Sequence, residues 1–343
     1  MLNATISQAR LRALIQKIPD VHVLVVGDIC LDAYWVADMR RSTLSRETPH
    51  HNLPIFEENY ALGGAGNVVK NLCALGAKDV RPVAALGRDW RGEMTVGLLG
   101  QLHLSGDLCP ACAGRVTPTY VKPYRMGYGG VRYEDPRIDF ENTRPPDEAT
   151  EEKLILSIEQ AARTADVIAV SDQMACGTVT KRVRDCLIGL AQSGARVLVD
   201  SRSNAARFPS CVVKPNELES ARAVDMSPAA VTPENYLPVA RALQAITHQA
   251  VIVTLGAIGS MCLTLDGEMA FAPAVPIAPP VDIVGAGDSF LSACALALGA
   301  GATLPEALAL GNLTSAVTVK KIGETGTASP EELLALHQET NLR

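Results

Sequence analysis

The chain has 343 residues, 48% of them hydrophobic but only 4% aromatic, and its formal net charge is −6. This length and composition predict one large α/β domain with an aliphatic core. The negative charge excludes the basic surface that nucleic acids and anionic membranes require, and no apolar stretch has the length of a signal peptide or a membrane span, so we expect a cytoplasmic protein.

Strands and helices alternate along the chain. Apolar, β-branched runs predict strands at 22–26, 80–85, 167–170, 196–199 and 250–254, and helices are predicted at 89–104, 178–192 and 238–246. A last helix starts at Ser329, with Pro330 in its first turn and Glu332 completing a capping box. The alternation is typical of a doubly wound, mostly parallel sheet.

Two segments interrupt this alternation, at residues 33–60 and 115–142. In the second, residues 119–124 and 131–134 have the pattern of exposed strands around a glycine-rich turn. We expect the two segments to form a small β-sheet lid, inserted in a single domain that spans residues 1–343.

The most informative motif is Asp282-Ile-Val-Gly-Ala-Gly-Asp288, which precedes an apolar run of helical length. Backbone N–H groups of Gly285, Ala286 and Gly287 would converge on an anion at the start of that helix. Asp288 in its first turn is then a candidate base for a hydroxyl that attacks a phosphoryl group. The structural alternative is a glycine-rich turn capped by an aspartate.

Two upstream motifs suit a nucleotide and its metal. Thr254, Gly256 and Gly259 form a T-x-G-x-x-G pattern that allows close approach of phosphates, although a plain hairpin turn explains it too. Asn216 and Glu219 lie three residues apart at a predicted helix start, where they are candidates to hold Mg²⁺ directly or through water. The same pair fits a capping box, and the two roles are compatible.

Candidate sugar-binding residues lie nearer the N-terminus. Asp28 and Asp32 follow the first long predicted strand, where carboxylates can accept hydrogen bonds from vicinal hydroxyls. Gly63 and Gly64 precede another helix and leave room for a sugar to lie against the backbone, with Asn67 bonded to it. Tight helix packing explains the same glycines.

In this order the five motifs resemble those of the ribokinase (PfkB) family of carbohydrate kinases, over residues 21–335. The resemblance implies a ribokinase-like fold and an ATP-dependent kinase that phosphorylates a sugar hydroxyl, with Mg²⁺ as cofactor and frequent homodimerisation through the lid. It also implies a monovalent cation such as K⁺ near Asp282 and the loop 323–327. Asn312 and the stretch around Ile322 would lie near the adenine.

Within the family, the chain is most similar to the kinase domain of heptose 7-phosphate kinase/ADP-heptose synthase, for instance at Arg137-Ile-Asp-Phe-Glu141. The resemblance implies that D-glycero-D-manno-heptose 7-phosphate is converted to the 1,7-bisphosphate. Cys176 replaces a lysine that is usual in that subgroup, and Arg202 stands where the relatives have the lysine of Asp-Pro-Lys, so Arg202 is a candidate substrate cation. Two alternatives stay open: a kinase for a non-phosphorylated sugar, polyol or nucleoside, and a catalytically weak sugar-binding regulatory protein.

Overall fold

The computed structural model of the chain describes residues 2–228, 230–323 and 325–341. The strands are β1 (Leu2–Asn3), β2 (His22–Gly27), β3 (Ile29–Asp38), β4 (Ile55–Gly64), β5 (Asp79–Val83), β6 (Leu86–Gly87), β7 (Ala111–Cys112), β8 (Thr119–Met126), β9 (Arg132–Glu134), β10 (Ile138–Phe140), β11 (Val167–Asp172), β12 (Val197–Ser201), β13 (Val212–Val213), β14 (Val251–Thr254), β15 (Gly259–Leu263) and β16 (Met269–Pro273). The helices are α1 (Gln8–Lys17), α2 (Ala65–Ala74), α3 (Trp90–Gln101), α4 (Glu148–Ala162), α5 (Lys181–Gln192), α6 (Glu217–Ala223), α7 (Pro233–Thr247), α8 (Ala286–Gly299), α9 (Leu304–Thr318) and α10 (Pro330–Asn341).

The main sheet contains nine of the described strands, in the order β1-β16-β15-β14-β13-β12-β11-β2-β5. Neighbours from β14 to β5 are parallel, whereas β15 pairs antiparallel with β14 and β16. Successive residues of β2 enter two different cores, Val23 and Val25 on one face and Leu24 and Val26 on the other. Helices therefore cover both faces, and the predicted doubly wound, mostly parallel sheet is confirmed.

A second, smaller sheet has the order β10-β8-β3-β4, with β9 paired to β8. Its strands start at Ile29 and reach Gly64, so they extend beyond the 33–60 segment predicted for the lid. The reason is that only Asp28 separates β2 from β3, and the chain passes from the main sheet into the small one at that residue.

One face of the small sheet presents polar side chains toward the start of α2. Asp32 pairs with Tyr120, and Tyr34 pairs with Lys122, in the parallel register of β3 and β8. Because side chains alternate along a strand, these four residues lie on the same face.

The N-termini of α2 and α8 converge beside this face. Each helix is capped by a glycine with a left-handed backbone, Gly64 with φ 56° and Gly285 with φ 80°. The two helices pack together, and the Ser292 hydroxyl of α8 donates to the Val68 carbonyl of α2 at 3.1 Å. The N-terminal ends of two helices are thereby directed at one region.

Helix α7 starts earlier than the sequence predicted. It begins at Pro233 rather than at residue 238, because the Thr232 hydroxyl accepts a hydrogen bond from the Asn235 N–H and Pro233 occupies the first turn. Pro238 is accommodated within the helix. None of the described helices combines the length and the apolar character needed to cross a membrane.

Candidate active site

Asp288 lies in the first turn of α8, and its carboxylate is held by α2. Its Oδ2 accepts a hydrogen bond from Asn67 Nδ2 at 2.9 Å. Burial raises the pKa of Asp288 to about 7; the bond from Asn67 opposes this rise, and the negative charge of Asp200 adds to it. A carboxylate with a pKa near neutrality is well matched to accept a proton from a hydroxyl.

The glycine-rich turn before Asp288 leaves backbone donors open. The N–H groups of Gly285 and Gly287 have no hydrogen-bond partner among the described residues, whereas the N–H of Ala286 donates to the Ile283 carbonyl at 3.2 Å. A Cβ on Gly285 would lie 2.6 Å from Asn67 Nδ2, so a side chain there would displace the residue that holds Asp288. Two of the three predicted anion-hole donors are therefore available to a ligand.

Asn67 is fully buried and donates a hydrogen bond to Asp288, while its predicted role in sugar binding stays a prediction. Besides its bond to Asp288, its backbone carbonyl accepts a hydrogen bond from Asn71 Nδ2 at 2.9 Å. We assign Asn67 to the orientation of Asp288.

Asp32 lies on the small sheet with 7% of its surface exposed, facing the same region. A Cβ on Gly63 would approach Asp32 Oδ1 to 2.7 Å, and one on Gly64 would collide with the Asp28 carbonyl. The two glycines therefore allow β4 and α2 to pack against β3, which is the alternative that the sequence left open. Burial raises the pKa of Asp32, while Lys122, Lys70 and Arg137 oppose the rise.

Asp28 makes contacts that differ from the predicted bonds to sugar hydroxyls. Its carboxylate accepts three backbone N–H groups, from Gln173, Met174 and Thr178, at 2.9, 2.8 and 2.6 Å. The absence of a side chain at Gly177 makes room for it. Since both oxygens are engaged, Asp28 fixes the loop after β11 at the corner between the two sheets. Burial raises its pKa to about 6.

Three cations surround Asp32. Lys122 Nζ lies 3.3 Å from the Tyr34 hydroxyl and 4.8 Å from the centre of that ring. Lys70 Nζ donates to the Thr325 carbonyl at 3.2 Å. Arg137 forms two hydrogen bonds with Asp139, each at 2.7 Å, and stacks on Tyr120. No sequence motif singles out Lys70 or Lys122, because they are isolated lysines that only the sheet register and helix packing bring together.

Asn216 and Thr254 lie side by side on adjacent strand ends, joined by a β-bridge. Asn216 Oδ1 accepts the N–H groups of Leu218 and Glu219 at 3.0 and 2.8 Å, and Glu219 Oε2 accepts the N–H of Asn216 at 2.9 Å. The predicted capping box of α6 is present. Glu219 Oε1 has no hydrogen bond among the described residues, so one carboxylate oxygen remains for a metal-bound water.

The T-x-G-x-x-G motif forms the turn between antiparallel β14 and β15, as the hairpin alternative expected. Gly259 has φ 130° and abuts the Ala272 carbonyl, so no side chain fits there. Asn312 Nδ2 donates to the carbonyls of Ala272 and Pro273 at 2.8 and 3.2 Å. Gly256 has φ 56° and no atom near its missing Cβ, which leaves open space above the turn.

Asp282 and Arg202 are the remaining site residues that the sequence predicted. Asp282 Oδ1 accepts the Val284 N–H and Oδ2 accepts the Gly323 N–H, both at 3.0 Å, so this carboxylate ties the glycine-rich turn to the loop after α9. Glu324 of that loop lies outside the described residues. The side chain of Arg202 is exposed, and its charge acts on both Tyr120 and Glu219. Arg202 therefore lies near both the small sheet and the start of α6.

Sequence reasoning missed one ion pair at this site. Lys214 Nζ lies 2.9 Å from Asp200 Oδ2, and both side chains are buried. Lys214 directly follows β13 in the stretch Val213-Lys-Pro-Asn216, where a lysine at the end of a buried strand was a usable signal.

Comparisons with known proteins agree with this geometry. A family model described as pfkB family carbohydrate kinase matches residues 21–332. The bifunctional protein HldE of Paramagnetospirillum magneticum is 32% identical over 329 residues, and that of Hyphomonas neptunium is 34% identical over 331 residues. Each alignment covers 95% of this chain, and the chain spans 65% of the length of either relative.

Solved structures show the same fold at lower identity. Phosphofructokinase-2 from Escherichia coli in complex with fructose-6-phosphate has a TM-score of 0.71 at 18% identity, with 94% of this chain and 99% of that chain covered. Arabidopsis thaliana ribokinase complexed with ribose and ATP has a TM-score of 0.67 at 19% identity, with 92% and 98% covered. The predicted ribokinase-like fold is thus confirmed.

Proposed function

Since the chain belongs to the pfkB family of carbohydrate kinases and is an ATP-dependent sugar kinase, we propose that its acceptor is a sugar phosphate. The specific acceptor that we propose is D-glycero-D-manno-heptose 7-phosphate, phosphorylated at its anomeric hydroxyl to the 1,7-bisphosphate. The sequence resemblance to heptose 7-phosphate kinases supports this choice.

Asp288 is the proposed general base. It accepts the proton of the attacking hydroxyl while the hydroxyl oxygen bonds to the γ-phosphorus and the bond from that phosphorus to the bridging oxygen of ADP breaks. Asn67 holds the carboxylate in position. The open N–H groups of Gly285 and Gly287 donate to the phosphoryl oxygens, whose charge grows in the transition state.

One observation carries the proposal that the acceptor has a phosphate. Lys122 lies on the polar face of the lid beside Asp32, half-buried, and none of the described carboxylates lies within ion-pair distance of it. Asp32 acts on Lys122 only from beyond ion-pair distance, so a bound anion would further stabilise this partly desolvated cation. Lys70 and Arg137 add positive charge near Asp32, and Arg202 adds positive charge near Tyr120 of the same sheet face. These charges favour an anionic acceptor over a neutral sugar.

The nucleotide is assigned to the other half of the site. Asn216, Thr254, Gly256, Gly259 and Asn312 line its proposed position, at the ends of the main-sheet strands and the adjoining turn. Glu219 would hold Mg²⁺ through water, and the metal would neutralise charge on the ATP phosphates. Asp282 remains the proposed site for K⁺, using lone pairs that its backbone bonds leave over.

We also propose that the enzyme is a cytoplasmic homodimer joined through the lid. The lid carries several exposed apolar side chains, namely Ile55, Phe56, Val131, Tyr133 and Ile138. Exposed apolar surface concentrated on one element is a common feature of protein interfaces.

The test is ATP consumption with heptose 7-phosphate, other sugar phosphates, the phosphate-free sugars and nucleosides. We expect heptose 7-phosphate to be the best acceptor, and Lys122→Met to raise its KM by roughly tenfold with little change in the KM for ATP. Lys153→Met, which alters an exposed lysine of α4, is the matched control. A preference for a phosphate-free sugar or a nucleoside would refute the acceptor assignment. Sugar binding without turnover on any acceptor would favour the regulatory alternative.

A further inference from the structure

Asp200 and Lys214 form a buried ion pair at the carboxyl end of the main sheet. Asp200 lies within β12, and Lys214 follows β13 directly, with its N–H donating to the Val199 carbonyl at 2.8 Å. Nζ and Oδ2 are 2.9 Å apart, and the two side chains are 3% and 9% exposed. Each charge would be strongly destabilising without the other.

The pair lies directly against the turn that carries Asp288. A Cβ on Gly287, the residue before Asp288, would be 4.0 Å from Asp200 Oδ2. Lys214 Nζ lies 5.8 Å from the ring centre of Phe290, which is two residues after Asp288 on α8. The ion pair is therefore packed between the main sheet and the first turn of α8.

We propose that Asp200 and Lys214 are positioning residues that set the protonation state of Asp288 through space. Asp200 favours the protonated form of Asp288, and Lys214 favours the ionised form that can act as a base. The catalytic part of this inference rests on the proposed role of Asp288 as base, whereas the electrostatic part does not.

Other groups near Asp288 also affect its pKa, in addition to Asp200 and Lys214. Asp32 and Cys30 approach from β3, and Asn67 approaches from α2. Glu219 of α6 faces the ion pair itself. Burial is the largest influence on Asp288, followed by Asn67, Asp200 and Lys214 in that order.

Lys214 is charged in this environment. Burial acts to lower the pKa of Lys214, but the carboxylates of Asp200, Glu219 and Asp288 together outweigh it and the net pKa is raised. Because two opposite charges act on one carboxylate in a site of low dielectric, removing either one must shift Asp288, in opposite directions.

The experiment is an NMR titration of protein labelled with ¹³C at the aspartate carboxyl carbons, with Asp288→Asn identifying the resonance of Asp288. Relative to the wild-type midpoint near pH 7, Lys214→Met should move the midpoint up, and Asp200→Asn should move it down, each by roughly one unit. The double variant Asp200→Asn/Lys214→Met has neither charge and should titrate between the two.

The controls use a matched but exposed pair. Lys181 and Asp185 of α5 are 2.7 Å apart with 80% and 53% of their side chains exposed, and Lys181→Met and Asp185→Asn should leave the Asp288 midpoint unchanged. A common midpoint in all variants, or shifts of the same sign in both single variants, would overturn the proposal. If a single variant does not fold, the double variant decides: a titration curve for Asp288 identical to that of a folded single variant contradicts the account.

The titration needs no substrate, so it is independent of the proposed acceptor. With an active acceptor, the acidic limb of kcat/KM, which reports the free enzyme, should shift in the same directions as the NMR midpoints. Opposite NMR shifts together with an unmoved activity profile would retain the electrostatic coupling but reject Asp288 as the base.

Discussion

Asp288 has an ionisation behaviour that links activity to pH. Its pKa of about 7 arises mainly from burial, and a general base must be ionised to accept a proton. We therefore expect kcat/KM to be about tenfold lower at pH 6 than at pH 8. Steady-state kinetics from pH 6 to pH 8 would measure this change in kcat/KM, with the stability of the enzyme checked at each pH. A flat profile would contradict the assignment.

The same carboxylate also affects stability. Because folding raises its pKa, the folded state binds this proton more tightly than the unfolded chain does, so stability is lost as pH rises from about 4 to about 7. Asp288→Asn cannot ionise and keeps an acceptor for Asn67. We expect its Tm to exceed that of the wild type by about 2 °C or more at pH 8, with the gap closing near pH 4. Equal Tm values at pH 8 would contradict the conclusion that ionised Asp288 destabilises the folded state.

Individual side chains show where sequence reasoning reached its limit. Asp288, Asp32 and the glycines around them were identified from motifs, since each motif is local. The bond between Asn67 and Asp288 joins residues 221 positions apart, and no local pattern encodes it. For the same reason the sequence did not reveal the bond from Asn67 or the three backbone N–H groups that donate to Asp28.

At the level of helices and turns, the start of α8 offers a controlled comparison. Gly285 and Gly301 flank α8, with φ of 80° and 82°, but only Gly285 has a neighbour close to its missing Cβ. Replacement of either by alanine should cost about 1–2 kcal/mol of stability through the left-handed backbone. Only Gly285→Ala should also lower kcat by more than tenfold, because it displaces Asn67. Equal loss of activity in both variants would show that the contact with Asn67 is unimportant.

Two helix starts marked by capping boxes were predicted accurately from sequence, unlike the start of α7. The capping box of α10 is present, with the Ser329 N–H donating to Glu332 Oε2 at 2.8 Å and the Glu332 N–H donating to Ser329 Oγ at 3.3 Å. The box at Asn216 and Glu219 is present too. Each capping box joins residues three apart, so hydrogen bonds within a short segment determine where the helix starts. The extent of the lid was less accurate, because strand pairing between distant segments decides where β3 and β4 begin and end.

The proposed dimer is a property of the whole molecule and can be tested on the lid. Phe56 is 45% exposed on β4, and Phe56→Glu should dissociate the dimer by burying a charge at the interface. Leu265 is 64% exposed outside the lid and provides the control, Leu265→Glu. Light scattering coupled to gel filtration would report the mass. A monomeric wild type, or a Phe56→Glu variant that remains dimeric, would contradict the proposed interface.

The main sheet brings together residues from distant parts of the chain. Asp32 lies on the small sheet, and Asn67 and Asp288 lie at the starts of two converging helices. Asp200 and Lys214 lie at the ends of parallel strands. Carboxyl ends of parallel strands share one edge, which explains why the order of motifs sufficed to predict the fold, while the position of the site stays a prediction. The cations around Asp32 depend on lid register and helix packing, so the sequence pointed to an acceptor only through its resemblance to heptose 7-phosphate kinases.

The most direct test of Asp288 as base is the single-turnover rate of phosphoryl transfer from ATP to heptose 7-phosphate at pH 8, in the wild type and in Asp288→Asn. We predict that the rate falls by roughly 10³-fold while the Kd for ATP stays unchanged, because only proton acceptance is lost. Rates within a few-fold of each other, in a variant that is folded and binds both substrates, would contradict the role of Asp288.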